Sequence, residues 1–123
     1  MTEFQPSKST VNDNTLVEFL FSDVQPDLEC VPGIGPANSK VLMNAGVQNT
    51  YQLMGKFLEL KTNERTVCDH CNKFFEWLQL CGVRTNRHNI TKSIAEKMAI
   101  AFPKLYNESS FPKPDNVAMF ADV

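Results

Sequence analysis

No stretch of the 123 residues is apolar for long enough to cross a membrane, and the first residues lack the basic-then-apolar order of a secretory signal. Histidine occurs only at positions 70 and 88, so a cysteine nucleophile has little to activate it. Neither a P-loop nor paired carboxylates in a recognisable pattern are present. The chain is therefore expected not to be an enzyme and to need no cofactor. Four cysteines without a signal segment are expected to be reduced thiols of an intracellular protein, in the nucleus and/or the cytoplasm. Glycine is scarce too, five in all, which makes the one place where two fall together informative.

That place is Val31-Pro32-Gly33-Ile34-Gly35-Pro36-Ala37-Asn38-Ser39-Lys40-Val41-Leu42, closed by Ala45-Gly46-Val47. Two glycines around one apolar residue make a tight reversal between helices, because glycine tolerates the positive φ such a turn demands. Pro36 suits the first position of a new helix, where its missing N–H had no partner to lose. Gly46 suits a left-handed cap at the other end. This is a helix-hairpin-helix pattern. The unpaired amides of the bend and of the new helix, together with the helix dipole, form an anion site, and Lys40 adds a full charge one turn in. The candidate contact set is Gly33, Ile34, Gly35, Ala37, Asn38, Ser39 and Lys40. Such contacts hold a phosphate backbone and read no base. The competing reading is a tight turn kept only for packing.

The formal net charge of −2 conceals an uneven distribution. Residues 1–30 carry six acids against Lys8, residues 31–107 ten bases against five acids, and the remainder three acids against Lys113. A basic middle between acidic ends is compatible with a modest, salt-sensitive phosphate-binding face.

An apolar fraction of 42% and a charged fraction of 21% are those of a soluble globular domain, and the length suits one. Residues 1–12 are polar and read as disordered or loosely attached. Thr15 with Glu18 offers a capping box for a short helix through Leu16, Val17, Phe19, Leu20 and Phe21, apolar nearly all round. Both sides of it are expected to meet protein, either the core or a second subunit. A brief turn at 27–31 leads into the hairpin. Asn49 reads as the cap of a helix through Tyr51, Leu53, Met54, Phe57 and Leu58, and the longest helix starts near 61–64. Along it Val67, Cys71, Phe74, Leu78 and Cys81 recur at helical spacing until Gly82. Asn86 or Asn89 caps a last helix with Ile90, Ile94, Met98, Ala101 and Phe102 on one face, which Pro103 stops. No strand is expected. The fold class is all-α, a compact bundle of five or six short helices over residues 13–106, with 107–123 an extended tail.

Cys68-Asp69-His70-Cys71 resembles half of a zinc site, which Cys30, Cys81 or His88 would complete. The pair lies inside a helical pattern with no glycine knuckle, so no metal is assigned. Trp77 and Phe75 fall on the apolar side of the same helix and read as core, not as base-stacking platforms.

With these residues laid out, the chain resembles the barrier-to-autointegration factor family of small helical proteins that bind double-stranded DNA as homodimers in the nucleus. The resemblance rests on Gly33-Ile34-Gly35, Lys40, Leu42, Gly46, Tyr51, the block Gly55-Lys56-Phe57-Leu58-Glu59-Leu60-Lys61, Glu76-Trp77-Leu78, Cys81-Gly82 and Ala101-Phe102, and covers Leu28 to Phe102. It implies a hairpin contact set of Gly33, Gly35, Ala37, Asn38 and Lys40, and a second set near Thr85 and Asn89. Asn89 stands where the family has an arginine, and Arg84, Arg87 and His88 lie close enough in sequence to replace that charge. The resemblance also implies a homodimer that bridges duplexes and docks protein partners. The chain departs from the family at Met98, Thr91 and Lys92, where the family's dimer contact has other residue types, and in an extra stretch around Cys68–Phe74. The expected function is sequence-independent binding of double-stranded DNA. The alternative is a protein-interaction module that keeps the hairpin only for packing.

Overall fold

A computed structural model describes residues 3–106, and within them the chain is all helical. Five α-helices follow in order: α1 (Asp13–Phe21), α2 (Pro36–Asn44), α3 (Thr50–Glu59), α4 (Val67–Cys81) and α5 (Arg87–Ala101). Short 3-10 turns at Pro6–Lys8 and Leu28–Cys30 precede α1 and the hairpin. None of these helices is long and apolar enough to cross a membrane. The expected tail, 107–123, lies outside the described residues.

The helix ends follow local chemistry. The Asn49 side chain accepts from the Gln52 amide at 2.9 Å and so caps α3. At the end of α2, Gly46 has φ +95°, its amide donates to the Met43 carbonyl, and the Val47 amide donates to Leu42. Gly82, at φ +102°, repeats this double closure on α4 with Gln79 and Leu78. Two starts differ from the sequence reading. Asn12, not Thr15, caps α1, accepting from the Asn14 and Thr15 amides. Helix α4 begins at Val67 because the Thr66 hydroxyl accepts from the Asp69 amide, several residues after the predicted start.

Helix α5 is the axis of the fold, contacted by α1, α3, α4 and the N-terminal 3-10 turn. It is buried on far more than one face: Thr91, Ser93, Ala95, Glu96 and Lys97 are covered as well as Ile90, Ile94 and Met98. Ala101 and Phe102, predicted to belong to the buried stripe, are exposed. Small side chains at 91, 93 and 95 let neighbouring helices approach closely, which a purely apolar stripe does not anticipate. Phe57, Phe74, Phe75, Leu53 and Leu78, from α3 and α4, lie in the core with no exposed surface, each contributing roughly 2–3 kcal/mol of burial free energy. Phe57 and Phe74 meet edge to face, centroids 5.2 Å apart.

Residues 3–12, in a stretch whose composition reads as disordered or loosely attached, are held to the domain by specific contacts. Phe4 is buried against Phe75 and His88, and its amide donates to Asn72 Oδ1 at 3.0 Å. The Gln5 amide donates to His88 Nδ1, and the Thr10 amide to Asn89 Oδ1 at 2.7 Å. A polar strand of chain is held here because acceptors distant in sequence wait for its amides. Helix α1 buries Leu16 and Leu20, half-buries Phe19 against the core and leaves Val17 and Phe21 exposed, so of the two sides expected to meet protein one does so within the described residues.

Candidate nucleic-acid interface

The bend before α2 is shaped by Gly33. Its φ is +97°, and a Cβ built there stands 3.0 Å from both Asn89 Cβ and Ile90 Cγ1 and 3.2 Å from the Asn86 carbonyl oxygen. The hairpin therefore presses against the first turn of α5. Gly35 is different: its φ is −98°, nothing lies within 4 Å of its added Cβ, and it is the N-cap of α2 without any side-chain cap. Ile34 is buried and pins the bend to the core.

Because Pro36 has no N–H and Gly35 offers no capping side chain, the Gly35, Ala37 and Asn38 amides have no acceptor among the described residues. The Ser39 amide is the first to close on the helix, donating to Gly35 at 2.9 Å. Ala37 and Lys40 are exposed, and Lys40 has no ion pair among the described residues. Unpaired amides at a helix start with a lysine one turn on are the arrangement that favours an anion electrostatically.

The structure brings the two predicted sets together, since Asn38 Nδ2 donates to the Gly33 carbonyl at 3.1 Å and the Thr85 carbonyl at 3.2 Å. That same contact removes the Asn38 side chain from the candidate contacts, for it is buried and occupied, and only its backbone amide is left to offer. Ser39 is buried as well, its hydroxyl directed at Met43 Sδ. Asn89 is lost to the site entirely: its Oδ1 accepts from the Thr10 amide and its Nδ2 donates to the Thr10 hydroxyl at 3.1 Å. Nor does Asn89 or Asn86 cap α5 by a side-chain bond. Asn86 occupies the cap position at φ 60° and makes none.

Arg87 lies over the Phe75 ring, 5.2 Å from its centroid, and donates from Nη1 to the Val83 carbonyl at 2.8 Å. Its charge is spent on the fold. His88 packs tilted against Phe75 and accepts from the Gln5 amide, and burial followed by the charges of Lys8 and Arg87 lowers its pKa. A neutral acceptor cannot supply the charge that an arginine would bring. Arg84 and the Thr85 side chain remain exposed next to the hairpin. The surviving set is thus the Gly35, Ala37 and Asn38 amides with Lys40, Arg84 and Thr85.

On the α1 side, the bend borders a cleft of about 700 Å³ lined by Phe19, Val31, Pro32 and Gly33 and by the carboxylates of Glu18, Asp23 and Glu29. These charges oppose an anion approaching from that side. The positions that the resemblance assigned to a dimer contact are covered within one chain: Thr91 and Met98 are buried, and Lys92 pairs with Glu96 at 3.1 Å.

Sequence reasoning named His70 as part of the Cys68–Cys71 run and missed its place in the core. The ring is fully buried, stacks on Phe57 at 4.0 Å, and bridges the Phe57 carbonyl (Nε2, 2.5 Å) and the Tyr106 hydroxyl (Nδ1, 2.6 Å). A carbonyl only accepts, so Nε2 carries the proton and Nδ1 accepts from Tyr106. The spacing Val67, His70, Cys71, Phe74 already placed it on the apolar stripe. With both nitrogens engaged, His70 has no lone pair for a metal, and among the described residues no group of three or more His, Cys, Asp or Glu could hold one.

The comparisons agree with this architecture. The family model described as barrier to autointegration factor matches residues 18–98, well over half of the chain. Barrier-to-autointegration factor 1 of Caenorhabditis elegans is 36% identical over 61 residues, an alignment covering 49% of this chain and 61% of that relative, so the chain spans less than two thirds of the relative's length. No solved structure matches the chain. With its hairpin, its cap pattern and its family match in accord, the chain belongs to the barrier-to-autointegration factor family.

Proposed function

We propose that this protein binds double-stranded DNA through the phosphate backbone, without strong sequence preference, at the start of α2. One observation carries the reading: three backbone amides at an uncapped helix start have no acceptor of their own, and an exposed, unpaired lysine follows one turn later. Arg84 extends the same positive surface across the Asn38–Thr85 contact. Membership of the barrier-to-autointegration factor family supports it. The contacts are few, so binding is expected to be weak and steeply salt dependent.

Titrating a short fluorescent duplex at two salt concentrations tests the reading. Lys40→Glu is expected to weaken binding about tenfold or more and to flatten the dependence of log affinity on log salt by roughly one phosphate contact. Binding of equal strength with Lys40→Glu, or none to the native protein at low salt, overturns the assignment. The second reading, a protein-interaction module, is favoured by a specific observation: Asn38, Arg87 and Asn89 all spend their polar groups inside the chain, and carboxylates line the cleft beside the hairpin. A homodimer that bridges duplexes would have to form through another face, since Thr91 and Met98 are buried within one chain.

A further inference from the structure

Helix α1 is held rigidly and yet left half bare. Lys97, itself buried, reaches from α5 to the end of α1 and donates from Nζ to the carbonyls of Phe19, Leu20 and Ser22 at 2.9, 2.9 and 2.6 Å. The Lys97 ammonium thus closes the end of the helix, where carbonyls lack the next turn's amides. At its start, α1 is capped by Asn12. Leu16 and Leu20 are buried and Phe19 is half-buried against the core, which together make up the inward face. On the outward side Val17 and Phe21, one turn apart, are 54% and 66% exposed. A valine and a phenylalanine presented side by side on a fixed helix form an apolar face without a partner among the described residues.

The charges around this face say what covers it. Asp13, Asn14 and Glu18 are exposed on the same helix and Asp23 follows its end, with no lysine or arginine among residues 13–23. None of those three acids takes part in an ion pair among the described residues. A second copy docked here in the self-complementary manner would bring two sets of these carboxylates together. Duplex DNA and anionic lipid surfaces are repelled for the same reason. We propose that the outer face of α1 docks a basic amphipathic helix of a partner protein, its apolar side chains over Val17 and Phe21 and its lysines or arginines against Asp13, Glu18 and Asp23. The mode is a helix laid on a helix face, with charge fixing the register. This inference is independent of the phosphate site at α2.

The probe is a synthetic amphipathic helix with leucines at i, i+4 and i+7 and lysines elsewhere, labelled for anisotropy, against the same peptide with glutamates for lysines. The native protein is expected to bind the lysine peptide and not the glutamate one. Val17→Ser/Phe21→Ser is expected to lose affinity at least tenfold with an unchanged melting temperature, both side chains being exposed. Leu80→Ser, at a residue 84% exposed on α4, and Lys40→Glu are expected to bind as the native protein does. Equal loss with Leu80→Ser, or retention by the α1 double variant, overturns the proposal. So does sedimentation showing a dimer of the native chain that Phe21→Ser dissolves, because the occupant is then a second copy.

Discussion

Gly33→Ala is expected to destabilise the protein by about 2–4 kcal/mol, the largest effect of any single methyl group in the hairpin. Two costs combine. An L side chain at φ +97° is strained by roughly 1–2 kcal/mol, and the new Cβ stands 3.0 Å from Asn89 Cβ and Ile90 Cγ1 and 3.2 Å from a backbone carbonyl. The side-chain atoms cannot retreat easily, since Ile90 is fully buried and Asn89 is fixed by Thr10. The bend must move off α5, and with it the Asn38–Thr85 bonds that hold the two loops side by side. Gly35→Ala is the matched control: φ −98° suits any residue and nothing lies within 4 Å, so its cost is below about 1 kcal/mol, the scale of an N-cap change. Urea denaturation of the two variants decides the matter, and equal midpoints would mean that the bend yields freely.

Acid is expected to remove about 2 kcal/mol of stability by pH 5 and about 3 kcal/mol by pH 4 through His70 alone. Burial is the main cause of its low pKa of about 4, against an ordinary value of 6.5; the bond to Phe57 opposes that shift, and Lys61 and Arg65 add to it. The folded state holds the ring neutral, whereas the unfolded chain gains a proton below 6.5. The contribution is therefore complete above pH 6.5, fades as pH falls through the interval to 4, and is gone below both values. His70→Gln keeps a side chain able to hydrogen-bond Phe57 and cannot titrate. Its stability is lower at pH 7, and it should lose about 2–3 kcal/mol less than the native protein between pH 7 and pH 4. His88 remains in both proteins, so the difference reports His70. Parallel denaturation curves for the two across that interval would place the acid response elsewhere.

What could be read from the sequence is what short-range chemistry decides. The closures at Gly46 and Gly82, the Asn49 cap, the Pro36 helix start and the core run Cys71, Phe74, Leu78 all depend on neighbours a few residues away. What could not be read depends on partners far along the chain. Residues 3–12 look unstructured by composition, yet Asn72, His88 and Asn89 accept their amides from some seventy to eighty positions away. Asn38, Asn89 and Arg87 are residue types that suit phosphate contact, and only packing shows them turned inward onto Thr85, Thr10 and Phe75. Lys97 counts as a free surface charge by sequence, while in the fold burial lowers its pKa and its ammonium closes the end of α1. The hairpin backbone is the part of the candidate site whose local geometry the sequence makes legible, because glycine and proline placement is backbone chemistry.

The amide resonances of Gly35, Ala37 and Asn38 give the most direct test, followed in a 1H–15N spectrum while a ten-base-pair duplex is added at low salt. Expected is a saturating shift confined to these amides, Lys40 and the 84–85 loop, reversed by salt and absent with Lys40→Glu. Stationary signals at 35, 37 and 38, with shifts instead around Lys56 on α3 and Lys61 just beyond it or nowhere at all, would contradict a phosphate held by the start of α2.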